Sequence, residues 1–185
     1  PVLESADMVW LMKNEPLRKE KNGEGEMWTY LFEKQYLTGE GEGHEYDIPI
    51  LALMQNGMVK EIIFPERFLK NISVPLLKKM FSSMGEAEVN KLSKSASSTF
   101  QGAAPGDIPG MENIVDTLGK PYSVEDKDEK TKYTYLYYLK NSSSAPPRDY
   151  FEFEAEFVFD SGSKKLEKAT GIIRGLSMSL DFTEN

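Results

Sequence analysis

The sequence predicts an α+β fold built from two tandem copies of one helix–antiparallel-sheet unit, with the helices packed on one face of each sheet. Residues 27–32 recur without a gap at residues 132–137, 105 positions downstream. The same offset aligns two prolines and two glycines: Pro16 with Pro121, and Gly57 with Gly162. One shift therefore aligns a helix end, a strand and a hairpin turn, which is typical of a duplicated supersecondary unit.

The first copy is predicted over residues 1–72, with its leading helix lying before residue 1. Its helix and three strands are predicted at residues 5–14, 27–37, 45–54 and 58–64. Pro16 ends the helix, because proline lacks the backbone N–H that a helix interior requires. Asn56-Gly57 predicts a tight hairpin between the last two strands, since both residues tolerate positive φ. The glycine-rich acidic segment 39–43 predicts a flexible loop.

The second copy is predicted over residues 73–185. One helix is predicted after Ser73, which can cap it, and another where apolar residues recur at helical spacing from Met111 to Leu118. Residues 93–107 are rich in Ser, Ala, Gly and Pro, which predicts a long loop. Four strands are predicted at residues 131–139, 150–159, 164–170 and 176–182.

Side chains of the second-copy strands alternate between an aromatic face and a more polar face. The aromatic face carries Tyr133, Tyr135, Tyr137, Phe151, Phe153, Phe157 and Phe159, and the other carries Lys132, Thr134, Leu136, Tyr138, Glu152, Glu154 and Glu156. Because successive strand residues point to opposite faces, this pattern predicts a sheet with one packed and one solvated face. We interpret the aromatic face as core packing beneath the helices rather than as a ligand groove.

The composition restricts the classes of partner. Of the 185 residues, 39% are hydrophobic and 28% charged, which is enough apolar material for a core. The net charge of −8 argues against nucleic acid or anionic lipid as the main partner, since both require a basic surface. The absence of cysteine excludes disulfides, thiolate zinc sites and a cysteine nucleophile.

Three short motifs mark the ends of elements in the second copy. They are Val115-x-x-Leu118-Gly119-x-Pro121 at a helix end, Tyr133-x-Tyr135 in a strand and Phe159-Asp160-x-Gly162 at a hairpin. The motifs resemble the small bacterial envelope lipoproteins of the BamE/SmpA type, whose unit is two helices followed by a short antiparallel sheet. Two such units in tandem are similar to the β-lactamase-inhibitory protein architecture. The first copy departs from the pattern at Asn14 and at Gln55-Asn56.

The resemblance implies a protein without catalytic activity that binds another protein or stabilises an assembly of the bacterial cell envelope. It implies a location in the periplasm, at the outer membrane or outside the cell. The anchor-bearing cysteine of those lipoproteins is absent from this sequence; either it would precede residue 1 or the protein has a different origin. We therefore expect no catalytic residue, no cofactor and no metal, and membrane contact only through such an anchor.

The outer sheet faces of the two copies differ in a way that predicts a partner surface. At the 105-residue offset, Leu51 of the first copy stands where Glu156 stands in the second. A half-apolar, half-acidic face is typical of an interface, although burial of the apolar half against the other copy or a loop is the alternative. The predicted contact residues are Leu31, Leu51, Leu53, Leu136 and Tyr138, with Glu152, Glu154 and Glu156 setting charge selectivity.

Two other functions remain open. A cavity between sheet and helices would make the protein a carrier of lipid or another small ligand, and its predicted lining is Met80, Met84, Tyr135 and Phe157. The row of Glu152, Glu154 and Glu156 would place neighbouring carboxylates roughly 7 Å apart, a distance that suits some hydrolases. An open, solvated face lacks the burial that separates the pKa values of an acid and a base, so a hydrolase is the less favoured of these two functions.

The single histidine, His44, follows the acidic segment 39–43. A metal site can be drawn from His44 and two glutamates of that segment. Its glycines, however, favour mobility over a fixed cage, and a zinc site usually has more nitrogen or sulfur ligands. We interpret this segment as a solvated acidic loop.

Overall fold

The computed structural model describes residues 4–12, 14–37, 43–71, 88–90, 95–99, 108–140, 153–173 and 176–182, which form three short helices and eleven strands. The helices are α1 (Ser5–Met12), α2 (Glu66–Asn71) and α3 (Met111–Leu118). The strands before α3 are β1 (Arg18–Asn22), β2 (Gly25–Lys34), β3 (Ile48–Gln55), β4 (Met58–Ile63), β5 (Glu88–Asn90) and β6 (Ser95–Thr99). Those after it are β7 (Ser123–Lys127), β8 (Lys130–Leu139), β9 (Phe153–Asp160), β10 (Leu166–Ile173) and β11 (Leu176–Asp181).

All eleven strands belong to one sheet, which curls into a half-barrel. The strand order is β4-β3-β2-β8-β9-β10-β11-β6-β5, with β1 paired to β2 and β7 paired to β8. Every pairing is antiparallel except that of β11 with β6. The helices of the described residues are eight, six and eight residues long, and none is long and apolar enough to cross a membrane.

The α+β prediction of two tandem units, each with its own sheet, is therefore wrong. The fold is closer to all-β, because β2 and β8 pair directly and join the strands into one continuous sheet. The predicted loop at 93–107 is also wrong in part, since Ser95–Thr99 forms β6. The helix predicted after Ser73 lies outside the described residues.

Strands β1, β2 and β3 have counterparts in β7, β8 and β9 at the spacing found in the sequence. The members of each pair begin 105 residues apart: Arg18 and Ser123, Gly25 and Lys130, Ile48 and Phe153. We call these groups the first and second strand trio. They meet where Phe32, Glu33 and Lys34 pair with Leu139, Tyr138 and Tyr137, respectively. Because Glu33 and Tyr138 are themselves 105 residues apart, the pairing has a local two-fold symmetry centred on that residue pair.

One face of the sheet, here called the helix face, forms the core. Beneath α1, Met8 packs with Trp28 and Tyr30 of β2. Beneath α3, a larger cluster includes Ile114 and Leu118 with the aromatic residues of the second trio. Tyr135, Tyr137 and Phe159 are fully buried there. This confirms that the aromatic alternation is core packing.

The hairpin between β3 and β4 also follows the sequence prediction. Asn56 has a φ of 52° and Gly57 a φ of 76°. Both lie in the left-handed region that two-residue hairpins of this type require, and that asparagine and glycine adopt at low cost.

Candidate functional site: the outer sheet face and its adjoining pocket

The structure brings most of the predicted contact residues together on the sheet face opposite the helices, here called the outer face. Along β2 and β3, residues of even number point to the core, so Leu31, Leu51 and Leu53 point outward. Along β8, residues of odd number point to the core, so Leu136 and Tyr138 point outward. Continuity of the sheet through β2 and β8 places both sets on one surface.

A row of apolar side chains crosses this face. Ile63 of β4 pairs with Leu51, and Pro49 of β3 pairs with Leu31. Cross-strand partners share a face, so these residues lie on the same face as Tyr138, whose direct partner is Glu33 at the two-fold centre. We call Leu31, Pro49, Leu51, Leu53, Ile63 and Tyr138 the apolar row. Ile63 is 37% exposed, and the other five are half-buried.

Not all the predicted contact residues are accessible. Leu136 lies on the predicted face but is only 6% exposed, so few of its atoms are accessible to a partner. Alternation along a strand gives the face of a side chain but not the atoms that cover it. Glu152 lies outside the described residues.

The two described glutamates of the predicted acidic half lie on β9. Glu156 forms an ion pair with Lys132 at 3.2 Å, and Lys132 also contacts Glu125 at 3.3 Å. Burial raises the pKa of Glu154, and the negative charge of Glu156 raises it further. These carboxylates therefore differ in surroundings: Glu156 is neutralised by a lysine, whereas Glu154 is partly desolvated.

A pocket of about 420 Å³ opens beside the apolar row. Its lining is Leu31, His44, Glu45, Asp47, Pro49, Arg67 and Lys140. Leu31 and Pro49 belong to both features, so the pocket and the apolar row are contiguous. The pocket combines two apolar side chains with ionisable groups of both signs.

Asp47 is the most firmly held ionisable group of this pocket. Its Oδ1 atom accepts a hydrogen bond of 2.8 Å from the backbone N–H of Lys34, and its Oδ2 atom lies 2.7 Å from Nδ1 of His44. Its carbonyl oxygen accepts a hydrogen bond from Arg67, at 2.5 Å from Nη2. The side chain of Asp47 is 6% exposed and that of His44 is 82% exposed. The buried carboxylate of Asp47 is therefore in contact with the exposed imidazole of His44.

Glu33 also lies near His44, and it pairs with Tyr138 at the two-fold centre of the sheet. Its side chain is 13% exposed, and its Oε1 atom lies 2.6 Å from Nζ of Lys140. One oxygen or nitrogen each of Glu33, His44 and Asp47 lies within 4.8 Å of the other two. This set differs from the site drawn from the sequence, which combines His44 with glutamates of the segment 39–43. The antiparallel pairing of β2 and β3 is the feature from which this set could be predicted, because it places Asp47 next to the end of β2.

Behind the pocket, Lys34 carries a buried ammonium group. Its Nζ atom lies 4.9 Å from the ring centre of Tyr36, 5.0 Å from that of Tyr46 and 5.3 Å from that of Tyr135. Burial lowers the pKa of Lys34 to about 8, and the positive charge of Arg67 contributes to the lowering. The three aromatic faces provide part of the stabilisation that water would otherwise give this cation.

The predicted carrier cavity is not supported by its described lining. Tyr135 is fully buried, and its ring packs edge-on against Phe157 at a centroid distance of 5.8 Å. Met80 and Met84, the remaining predicted lining, lie outside the described residues. The described part of that region is therefore filled with aromatic side chains.

Comparison with known proteins identifies no relative: no protein-family model, no curated protein and no solved structure matches this chain.

Proposed function

We propose that this protein acts by binding a protein partner through the outer face of its sheet. The observation that carries the proposal is the apolar row, which crosses β4, β3, β2 and β8 on the face opposite the helices. Leucine, isoleucine and tyrosine side chains left partly exposed in one contiguous row are typical of a protein–protein interface.

The surroundings of the apolar row fit such an interface. The pocket adds charged groups at one end, including Lys140 and Glu45. Glu154 and Glu156 add carboxylates on β9, which neighbours β8. A central apolar region with charged groups at its rim is the common anatomy of a specific interface.

Binding without catalysis is the corresponding proposal for mechanism. The exposed His44 is engaged with Asp47, and Glu156 is engaged with Lys132. Neither arrangement presents a nucleophile activated by a base. In keeping with the resemblance to BamE-type units, we propose that the protein works in the bacterial cell envelope or outside the cell. A lipid anchor is part of that proposal.

Retention of a partner from envelope extract of the native source tests the interface. Wild-type protein is immobilised beside a Leu51→Lys, Tyr138→Ala double variant whose folding is confirmed by circular dichroism and thermal unfolding. We expect a partner that wild type retains and the double variant loses. Loss of a central aromatic contact costs about 1–3 kcal/mol, or roughly 5- to 150-fold in affinity.

Val124→Lys is the matched control, because it also replaces an apolar strand residue with lysine. Val124 is 53% exposed, and it pairs with Tyr133, so it lies on the helix face. This control should retain the partner as wild type does. Equal retention by all three proteins, or equal loss in both variants, would contradict the proposed interface.

A further inference from the structure

We propose that Glu33, His44 and Asp47 form a binding site for a divalent transition-metal ion, with Zn²⁺ and Mn²⁺ as the fitting class. The three potential ligand atoms, two carboxylate oxygens and one imidazole nitrogen, lie within 4.8 Å of one another. A metal ion bound at about 2.0–2.2 Å from each would draw these atoms closer together.

The three side chains come from separate places in the chain that the fold brings together. Glu33 is the next-to-last residue of β2, and Asp47 immediately precedes β3. His44 lies in the connection between these strands, and the backbone N–H of Asp47 donates a hydrogen bond of 3.2 Å to its carbonyl oxygen. The imidazole is therefore held in a turn against the strand ends.

Asp47 provides the fixed oxygen that a site made only of loop glutamates would lack. Its Oδ1 atom is held by the backbone of β2, which leaves Oδ2 directed at His44. Arg67 further holds the backbone of Asp47 through the carbonyl oxygen. A ligand whose rotamer is fixed by other hydrogen bonds loses little conformational freedom on binding metal.

The burial of Asp47 favours a positive group next to its carboxylate. Its side chain is 6% exposed, and among the described residues the only ion-pair partner of its carboxylate is the exposed His44. Arg67 donates to the carbonyl oxygen of Asp47 rather than to the carboxylate. A buried carboxylate is costly unless a positive group compensates it, and a metal ion next to Oδ2 would do so.

The donor set indicates which ions fit. Zn²⁺ usually takes more nitrogen or sulfur ligands than this set offers, but it also accepts carboxylate oxygens, and an oxygen-rich set with one imidazole suits Mn²⁺ well, whereas Ca²⁺ takes six to eight oxygen ligands. The remaining coordination positions would be filled by water. The pocket of about 420 Å³, which His44 and Asp47 line, has room for those waters.

Lys140 is the internal competitor of the metal ion. Its Nζ atom lies 2.6 Å from Oε1 of Glu33 and neutralises that carboxylate. Removing the ammonium would free Glu33 and take a positive charge away from the site. The proposal therefore predicts that one substitution in the pocket strengthens metal binding while others weaken it.

Isothermal titration calorimetry with ZnCl₂ and with MnCl₂ tests the site. We expect one equivalent of at least one of these ions to bind, and CaCl₂ to bind more weakly. His44→Gln and Glu33→Gln should each weaken binding roughly 10-fold or more, because each removes one of three protein ligands. Lys140→Met should strengthen it several-fold.

Glu45→Gln is the matched control, because Glu45 is an exposed carboxylate lining the same pocket but absent from the three-ligand set. Its affinity should equal that of wild type. Asp47 is not substituted, since its contact with β2 also supports the fold. The proposal would be overturned if His44→Gln and Glu33→Gln left the affinity for Zn²⁺ and Mn²⁺ unchanged. It would also be overturned if Glu45→Gln lowered that affinity as much as those two variants do.

Visible spectroscopy with CoCl₂ provides a second readout that separates a defined site from surface attraction. Co²⁺ held by an imidazole nitrogen should develop a ligand-field absorption band that saturates at one equivalent. The band should be lost in His44→Gln and kept in Glu45→Gln. A band that persists in His44→Gln would place the ion elsewhere and overturn the assignment.

Discussion

The Nζ atom of Lys34 donates a hydrogen bond of 2.5 Å to the carbonyl oxygen of Leu118, which lies 84 positions away in the chain. The same nitrogen donates to the carbonyl oxygen of Lys120 at 2.6 Å, and the hydroxyl of Tyr135 donates to that of Gly119 at 3.0 Å. Carbonyl groups at a helix end have no partners within the helix. Side chains of both strand trios thus donate hydrogen bonds to the carbonyl groups at the C-terminal end of α3.

The lowered pKa of Lys34 predicts a pH-dependent stability. The folded protein loses the Lys34 proton near pH 8, whereas the unfolded chain holds it up to about pH 10.5. Between these values the unfolded state binds more protons, so this group makes the free energy of unfolding rise with pH. Relative to Lys34→Met, wild type should gain roughly 1–2 kcal/mol between pH 7 and pH 9.5.

Urea unfolding of both proteins at a series of pH values measures this difference. The comparison with Lys34→Met cancels the contributions of the tyrosines, including Tyr30, whose pKa burial and the nearby Glu15 raise to about 12. A difference that stays constant across this pH range would contradict the assigned protonation behaviour.

Gly119 should tolerate substitution less well than Gly57. Both have positive φ, 73° and 76°, where an alanine is strained. A Cβ at Gly119 would lie 2.6 Å from Cδ2 of Tyr46 and 2.8 Å from Nζ of Lys34, whereas nothing lies within 4 Å at Gly57. Gly119→Ala should therefore lower the free energy of unfolding by about 1–3 kcal/mol more than Gly57→Ala does. Chemical denaturation measures the free energy of unfolding of both variants. Equal losses would contradict the steric crowding at Gly119.

Tyr135→Phe and Tyr137→Phe should differ in stability although both rings are fully buried. The hydroxyl of Tyr135 donates to the carbonyl oxygen of Gly119, so its removal leaves that acceptor unsatisfied and should cost about 1–2 kcal/mol. The hydroxyl of Tyr137 has no hydrogen-bond partner among the described residues. Its removal should be neutral or slightly stabilising. Thermal unfolding of the two variants checks the order, and the reverse order would contradict it.

Arg67→Lys should destabilise the protein although the charge is kept. Arg67 uses two nitrogens at once, donating from Nε to the carbonyl oxygen of Thr117 at 2.9 Å and from Nη2 to that of Asp47. A lysine ammonium cannot reproduce this fork. We expect a loss of about 1–2 kcal/mol in chemical denaturation. Arg18→Lys, at a side chain that is 68% exposed, should change stability by less than about 0.5 kcal/mol.

The sequence predicts the strands whose side chains alternate and fails for those without apolar residues. Strands β2, β8 and β9 are predicted because their aromatic side chains recur at every second position, which indicates burial on one face. In contrast, every residue of β1 is exposed, and its sequence, Arg-Lys-Glu-Lys-Asn, carries no apolar signal. Strand β7 has one apolar residue, Val124, and it is also exposed. Backbone pairing to a neighbouring hairpin strand, rather than side-chain burial, holds both in place.

The fold class could not be read from local patterns because it depends on one long-range pairing. In the described part of the chain, three residue pairs centred on Glu33 and Tyr138 join the two trios into a single sheet. The same limit applies to the candidate site. Alternation placed Leu31 and Leu51 on the correct face, but the burial of Leu136 and the approach of Asp47 to Glu33 are tertiary effects.

The pairing of β2 with β8 also has a consequence for folding. A fragment containing only one trio would leave the end of β2 or β8 as an open, hydrogen-bonding edge, which promotes association with other chains. It would also separate Lys34 from the helix end that it caps. The two trios should therefore gain and lose their structure together, in one cooperative transition, and neither should be a stable domain by itself.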